Sequence, residues 1–397
     1  MSSLSREFLL TAACCVWPPT ESRTAKIYAA AAGPIDWELF FRVVMRHRVV
    51  GLVHDGLTRA RPNVPTNVAL KVAEEATKLA RQNLELTAEA VRLQRLFAAA
   101  DIPVAFIKGV SLARLAYGNL GIRHGKDLDL VVAPDAFPEA ALMIEDAGYR
   151  RFDPPAEISD AQLRILMPMR KDLGYIHKQN QIELELHWRL FLNAHVIQET
   201  SFMTSSRVVS VSETLGLHTL GEDDLFAYLC AHGALHRWYQ LKWLADIGAL
   251  LRNGSIDDVE RLYRAAEARG VGRAAAQALL LCYRLLGTAI PNQLLASFRA
   301  KPTVRWLERT ALNAMTAGNS EIEPRDMLFG TTGSSLSAFL LGHNWRYYLA
   351  ELKIHATCEA DILAISLPNQ FQFLYPMLRL PLWLWRHRFL RRTAMNG

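Results

Sequence analysis

Cysteine is scarce in this chain and shows no paired pattern. There are five: Cys14, Cys15, Cys230, Cys282 and Cys358. The number is odd and no CxxC spacing occurs, which argues against a disulfide framework or a zinc ribbon. A reducing, cytoplasmic setting is the expectation. Long apolar runs are also missing. None approaches the ~18 residues that a spanning helix needs. The apolar stretch Phe8 to Trp17 ends near Ala12-Ala13-Cys14, in a pattern similar to a lipoprotein cleavage site. It is short and Glu7 interrupts its entry, so a leader is not expected. Charge of one sign is lacking too: 45 Lys+Arg stand against 39 Asp+Glu, a net of +6. That balance permits a phosphate-bearing ligand and gives no footprint for nucleic acid, which is not an expected partner. Internal repeats and low-complexity linkers are absent.

What is present is apolar and mixed in texture. Apolar residues are 51% of the 397, which excludes a disordered chain and predicts a sizeable core. The length suggests two or three domains. Residues 1–100 read as a helical region. Asp36 to Leu57 is rich in Phe, Val and Leu, with Arg42, Arg46 and Arg48 breaking it at helical intervals. Thr66 or Asn67 is expected to cap a long helix. Along it Val72, Ala76, Leu79, Asn83, Leu86, Ala90, Leu93 and Phe97 recur in steps of four and three, a core-facing stripe.

At residue 101 the pattern changes. Ile102 to Ile107 reads as a buried strand, closed by Lys108-Gly109 and followed by a helix at Val110 to Tyr117. Asp127 to Val132 reads as a second strand. Pro134 is expected to start a helix that Gly148 stops. Tyr149 to Phe152 reads as a strand. Leu173 to His177 and Ile182 to Trp188 read as a hairpin about the turn 178–181. The segment 101–190 is therefore a small α/β core. Beyond it, 191–300 reads as mostly helical, with a small hairpin at Arg207 to Val211 and Leu215 to Leu220. A single helix is expected from Glu222 to Leu251. Residues 301–397 form a further helical region that ends in a basic aromatic tail. The expected class is α+β, a small mixed sheet between helical regions.

The residues that suggest chemistry are acids. Asp127 and Asp129 are two apart on a strand, so their carboxylates share a face. In Ile182-Glu183-Leu184-Glu185-Leu186-His187, the residues Glu183, Glu185 and His187 share the other polar face. Two such strands side by side can hold hard divalent metal beside substrate phosphates. Asp-x-Asp alone is common on solvated strands. Its surroundings strengthen the reading here. Gly109 lets backbone approach a ligand, and the helix start behind it favours a phosphate. Lys108, Arg123 and Lys126 add positive charge, although mutual salt bridging would explain the same crowding.

In this order the sequence resembles the nucleotidyltransferase superfamily typified by DNA polymerase beta. Within it, the likeness is to a group of bacterial, mostly uncharacterised nucleotidyltransferase-like proteins. Members are often encoded near cell-surface polysaccharide or peptide-tailoring genes. The resemblance covers about 101–250 and has a specific content. Asp127 and Asp129 match the family's paired aspartates, Glu185 its third carboxylate, and Gly109 its phosphate-turn glycine. It implies transfer of a nucleotidyl group from a nucleoside triphosphate, with Mg²⁺ or Mn²⁺ held by Asp127, Asp129 and Glu185. Lys108, Gly109, Ser111, Arg123 and His187 are the implied contacts to the nucleotide. The acceptor would be a small molecule, a saccharide or a peptide. One departure stands out. The superfamily usually places Gly or Ser directly after the glycine; here Val110 stands there and Ser111 follows. Lys108 would then take over part of the phosphate contact. The alternatives are a non-catalytic nucleotide-binding or scaffold protein, or a nucleotide-sugar-using or peptide-tailoring transferase on the same fold.

Three further groups have more than one reading. His187 could orient a carboxylate, touch a phosphate, or be a structural histidine. His232, His236 and Asp246 are expected to face the α/β core; the His pair has i, i+4 zinc spacing but lacks the Glu of a zinc hydrolase. Lys242 and Asp246 could form a simple helical ion pair. The tail Leu374 to Arg392, with Arg379, Arg386, Arg388, Arg391 and Arg392, reads as a packed helix, with a peripheral membrane contact as the alternative. Exchange of Asp127 or Asp129 for Asn is expected to leave the fold as stable as before, or more so.

Overall fold

The computed structural model describes residues 4–197, 205–252, 254–316 and 330–357, then 359–365, 367, 369–375, 377–379 and 381–382. The chain opens with α1 (Arg6–Cys14), α2 (Glu21–Ala31), α3 (Trp37–Arg46), α4 (Val50–Ala60) and the long α5 (Thr66–Ala99). The helical N-terminal region is thus observed. Ser5, Thr20 and Asp36 cap the first three helices through their side chains. The expected cap of α5 is not observed. Thr66 is the first helical residue and Pro65 holds the cap position without a side-chain bond, since its fixed φ suits a helix entry. The stripe behaves as read: all eight of its residues, Asn83 included, are buried.

A five-stranded sheet follows, in the order β1 (Val104–Phe106), β2 (Asp127–Val132), β5 (Glu183–His187), β4 (Asp172–His177), β3 (Tyr149–Asp153). Only β2 and β5 run parallel; the other neighbours are antiparallel. Between the strands lie α6 (Val110–Tyr117), α7 (Phe137–Asp146) and α8 (Asp160–Leu166). Helix α7 starts at Phe137, three residues later than Pro134 suggested, with Pro138 in its first turn. The expected hairpin between 172 and 187 is β4–β5, and the smaller one is β6 (Arg207–Ser210) with β7 (Gly216–Thr219).

The rest is helical: α9 (Glu222–Leu235), α10 (Leu241–Arg252), α11 (Ile256–Ala268), α12 (Gly272–Leu281), α13 (Asn292–Ala300), α14 (Pro302–Thr316), α15 (Gly330–Leu341), α16 (Trp345–Ala356) and α17 (Glu359–Ala364). The single helix expected over 222–251 is two. Arg237 and Trp238 take positive φ between them. Trp238 is fully buried, its ring seated where a Cβ on Gly233 would lie 2.4 Å away. Burial of that indole, worth roughly 2–3 kcal/mol, offsets much of the left-handed backbone cost of about 1–2 kcal/mol for each of the two residues.

Two large cores organise the described residues, beside a small cluster of Leu166, Ile362 and Tyr375. One packs β2, β4 and β5 against α5 and α7, through Leu128, Leu130, Leu184, Leu186, Phe97 and Ile144. The other joins the N-terminal helices to α9–α14, through Phe8, Val53, Phe226, Trp238 and Leu279. Cys14, Cys15, Cys230 and Cys282 are free thiols inside it. Burial pushes the Cys14 thiol up to about 12, with Asp55 adding to it against the pull of Arg23. No helix among the described residues is long and apolar enough to cross a membrane. At the start of the tail Tyr375 and Leu382 are buried. Arg379 donates to the Thr357 carbonyl at 3.0 Å. Residues 383–397, with Arg386, Arg388, Arg391 and Arg392, lie outside the described residues.

Candidate functional site

The site begins at the turn after β1. Gly109 has φ +69° and ψ −127°, a conformation that an L side chain adopts only with strain. The turn delivers Lys108 toward the sheet, and its Nζ lies 2.8 Å from Asp129 Oδ1. Ser111 faces the other way. Its hydroxyl, fully buried, donates to the carbonyls of Phe106 at 3.0 Å and Lys108 at 3.1 Å. The phosphate contact expected of Ser111 is therefore replaced by an internal clasp on the loop. Val110, where the superfamily keeps Gly or Ser, is buried in the sheet core.

The parallel pairing of β2 and β5 sets the acids. Asp127 is opposite Glu183 and Asp129 is opposite Glu185. Leu128 and Leu130 of β2 and Leu184 and Leu186 of β5 fill the sheet core, so the alternate residues project to the other face. There Asp129, Glu185 and His187 offer ligand atoms all within 4.8 Å of one another. Asp127 lines the same cleft, one step further out, and is not in that trio. Glu183 turns away and pairs with Lys126 at 2.7 Å, both partly exposed. Of the two glutamates on β5, Glu185 lines the cleft and Glu183 does not.

Antiparallel β4 adds a residue that the sequence reading missed. Asp172 is opposite His187, and its Oδ2 lies 3.5 Å from His187 Nδ1. It also pairs with the adjacent Lys171. His187 Nε2 is 3.2 Å from Glu185 Oε2 and 3.5 Å from Asp129 Oδ1. The signal was present in the hairpin. Counting outward from the turn at 178–181 puts Asp172 beside His187 on the acidic face.

Charge is nearly balanced inside this cluster. Burial works against the Lys108 ammonium, but Asp129 beside it, with Tyr228, Glu185 and Asp127, holds its pKa well above the usual range. Burial would raise Asp129; Lys108 and His187 overcome it and hold that carboxyl well below the usual range. Burial and the charge of Lys171 oppose the His187 imidazolium, while Asp129, Glu185 and Asp172 raise it above its ordinary value. Asp127 moves the other way: burial and the Asp129 charge raise its pKa. The two aspartates, alike in sequence, are unlike in place.

The cleft measures about 650 Å³. Helices α9 and α10 form one wall, where His232, His236, Tyr228, Tyr239 and Trp243 line the space. Ring centroids lie 4.7 Å apart for His232–His236, 5.2 Å for His232–Trp243 and 5.0 Å for Tyr239–Trp243. Burial, with the charge of Lys108 next, drives His232 well below its ordinary pKa, so that ring sits neutral in an aromatic wall. The pair does not belong to any acid-containing metal cluster among the described residues. Asp246 sits behind the wall, fully buried. It accepts from Tyr117 Oη at 3.0 Å and from Arg123 Nε at 3.0 and 3.1 Å. The three residues expected to face the core do so. The helical pair suggested for Lys242 and Asp246 is not observed; Lys242 lines the cleft and Asp246 holds Arg123.

A protein-family model described as "uncharacterised nucleotidyltransferase" matches residues 33–287, well over half of the chain. The chain belongs to this family. The match takes in the N-terminal helices from α3, the whole sheet with its acids, and the aromatic wall. It ends at the close of the π-helical turn Cys282–Leu286, so the α15–α17 side of the cleft lies outside the nucleotidyltransferase match. No curated protein matches the chain.

Proposed function

We propose that this member of the nucleotidyltransferase family moves a nucleotidyl group from a nucleoside triphosphate to an acceptor hydroxyl or phosphate, in a divalent-metal-dependent reaction. The reading rests on one observation above the others: Asp127, Asp129 and Glu185 converge from adjacent parallel strands on a single cleft. The donor set suits a hard ion. Asp129 Oδ1 is buried and, although Lys108 and His187 are near, none of its contacts has hydrogen-bond alignment. Asp127, Asp129 and Glu185 would hold Mg²⁺ or Mn²⁺ through oxygen. His187, whose imidazole suits softer ions, would brace Glu185. The metal would supply charge neutralisation at the reacting phosphates.

The chain's own groups then have separate tasks. The acceptor oxygen attacks the α-phosphorus, the bond to the bridging oxygen breaks, and pyrophosphate leaves. Glu185 is the partly exposed acid of the trio and receives the acceptor's proton. Lys108 and the Gly109 turn meet the phosphates, and Arg123 stands behind them, already oriented by Asp246. The aromatic wall offers flat ring surface to a base, a saccharide or a peptide side chain. Such chemistry rests on positioning and charge rather than covalent help.

A second reading has an observation in its favour. Lys108 pairs directly with Asp129, and Ser111 is spent inside its loop. A chain that binds nucleotide without turning it over would tolerate both. The deciding experiment is calorimetry of ATP binding with and without Mg²⁺, alongside pyrophosphate release from the four nucleoside triphosphates. Wild type is expected to bind more tightly with metal, and Glu185→Gln to lose that gain. Equal Mg²⁺-dependent binding in wild type, Asp127→Asn and Glu185→Gln would sink the metal site. Binding without release under every acceptor tried would favour the scaffold reading.

A further inference from the structure

The cleft carries basic side chains that form no ion pair with its acids. Lys108 is engaged by Asp129 and Arg123 by Asp246. Arg48, His124 and Lys242 line the same cleft. Among the described residues, none of these three makes an ion pair or a side-chain hydrogen bond. They come from three distant stretches: the loop after α3, the loop before β2, and the start of α10.

The frame that gathers them is rigid. Lys242 N donates to the His47 carbonyl at 3.3 Å, and Leu241 N donates to His47 Nδ1 at 3.1 Å. His47 is buried, and burial with the charge of Arg46 drives its pKa down to about 3, so Nδ1 is held as an acceptor. Arg48 follows at φ +54°, a turn that swings its side chain off the helix line. Gly51, next along, lies so close to Ile122 that a Cβ would meet its carbonyl oxygen at 2.3 Å. Asn83 of α5 donates to the carbonyls of Leu120 and Arg123 at 2.8 Å, which fixes the loop bearing His124. Three cationic or protonatable side chains are thus preset around one space, before any ligand arrives.

Holding them there is costly. Burial, then Arg123 and Arg48, lower Lys242 to about 7. Burial, with Lys242, Arg48 and Arg123, lowers His124 to about 3. Arg48, Lys242 and Arg123 crowd together here, offset only in part by Asp127 and Asp246, and a folded protein avoids such an excess of like charge unless an anion completes the set. A carboxylate would neutralise only one of them. A ligand with several charged oxygens close together suits the whole group.

We propose that Arg48, His124 and Lys242 form a polyphosphate subsite beside Asp127, distinct from the Lys108–Gly109 turn. The assignment rests on the transferase reading for its place in a reaction. As a binding site it stands on the cations alone. The polyphosphate is carried either by the nucleotide donor, whose β- and γ-phosphates would leave from here, or by a pyrophosphate-bearing acceptor.

The test uses the full chain and inorganic pyrophosphate, without divalent metal, in calorimetry at pH 6.5. Wild type is expected to bind it. Lys242→Met and Arg48→Met are expected to bind it about tenfold or more weakly, as loss of one charge-assisted contact predicts. Glu185→Gln, which lacks only a metal ligand, is expected to bind it as wild type does. Pyrophosphate binding unchanged in Lys242→Met and Arg48→Met would overturn the subsite and leave the metal-dependent reading intact. Loss in Glu185→Gln with retention in Lys242→Met would place the anion at the acids instead and also overturn it. Inorganic phosphate binding as tightly as pyrophosphate would overturn the polyphosphate assignment. Displacement of pyrophosphate by ATP supports the subsite and assigns it to the donor; simultaneous binding supports it and assigns it to the acceptor.

Discussion

Lys108 Nζ and Asp129 Oδ1 lie 2.8 Å apart, with the aspartate side chain 3% exposed and the lysine 17%. The ammonium neutralises the one aspartate that is closed off from water. Asp127, two residues earlier on the same strand face, has no ion-pair partner among the described residues and carries a raised pKa.

The two aspartates should therefore answer opposite to one another. Asp129→Asn strips Lys108 and His187 of their buried counter-charge. Its expected cost is about 3 kcal/mol, the scale for breaking a buried pair by removing one member. Asp127→Asn removes a charge that burial and Asp129 both disfavour, so its stability should equal or exceed wild type. The equal-or-higher stability that the strand pattern suggested for both positions is thus revised for Asp129. Urea unfolding in metal-free buffer checks the pair. Equal shifts for the two variants would contradict the structure.

The difference could not be read from Asp-x-Asp itself, because both residues sit on one face and only the partner from another turn tells them apart. Much else was legible. Strand, turn and helix at 104–117 follow from an apolar run closed by Lys-Gly, and the β4–β5 hairpin from two alternating runs about a polar turn. Convergence of Glu185 with Asp129 needed only the face rule and a guess at strand adjacency. Three features were hidden. The break at 236–240 carries no Gly or Pro; it is decided by Trp238 packing on Gly233. Asp172 reads as a solvated charge beside Lys171 until the hairpin register is fixed. Arg48 and Lys242 are 194 positions apart and meet only through the fold.

Arg123 and Asp246 are a second buried pair, 5% and 0% exposed, with Tyr117 as third member. Asp246→Asn should cost about 3–5 kcal/mol, because Arg123 keeps its charge without a partner. Adding Arg123→Met should restore part of the loss, with a coupling of about 1 kcal/mol or more. A double-mutant cycle by chemical denaturation measures it. Simple additivity would mean that the two residues do not depend on each other.

Asp172 acts on His187 through Nδ1. Against burial and Lys171, the carboxylates Asp129, Glu185 and Asp172 hold the imidazole above its ordinary value. A raised histidine contributes stability that is fully present below its unfolded pKa of about 6.5 and is lost as pH rises through the folded value. Asp172→Asn should lower the His187 pKa and shrink that loss. A two-dimensional NMR titration of the histidine ring reads the shift directly. An unmoved His187 pKa in the variant would remove Asp172 from the site.

Lys242 supplies the opposite sign. Its folded pKa, about 7, lies below the unfolded value near 10.5, because burial, Arg123 and Arg48 disfavour its charge. Below pH 7 the lysine is charged in both states, and the folded protein bears the whole penalty. Above pH 7 the folded lysine sheds its proton while the unfolded one keeps it, so stability relative to an uncharged side chain rises with pH. Lys242→Met should therefore be more stable than wild type at pH 6, by a few kcal/mol at one pKa unit per ~1.4 kcal/mol. The gap should narrow steadily from pH 7 and nearly close by about pH 10. Pyrophosphate should narrow it at pH 6 as well, by giving the wild-type ammonium the anion it lacks. Melting curves of the two proteins across pH 6 to 10, with and without pyrophosphate, test all three statements. A variant less stable than wild type at pH 6 would show that Lys242 already has a stabilising partner, and its place in the anion site would fall with that result.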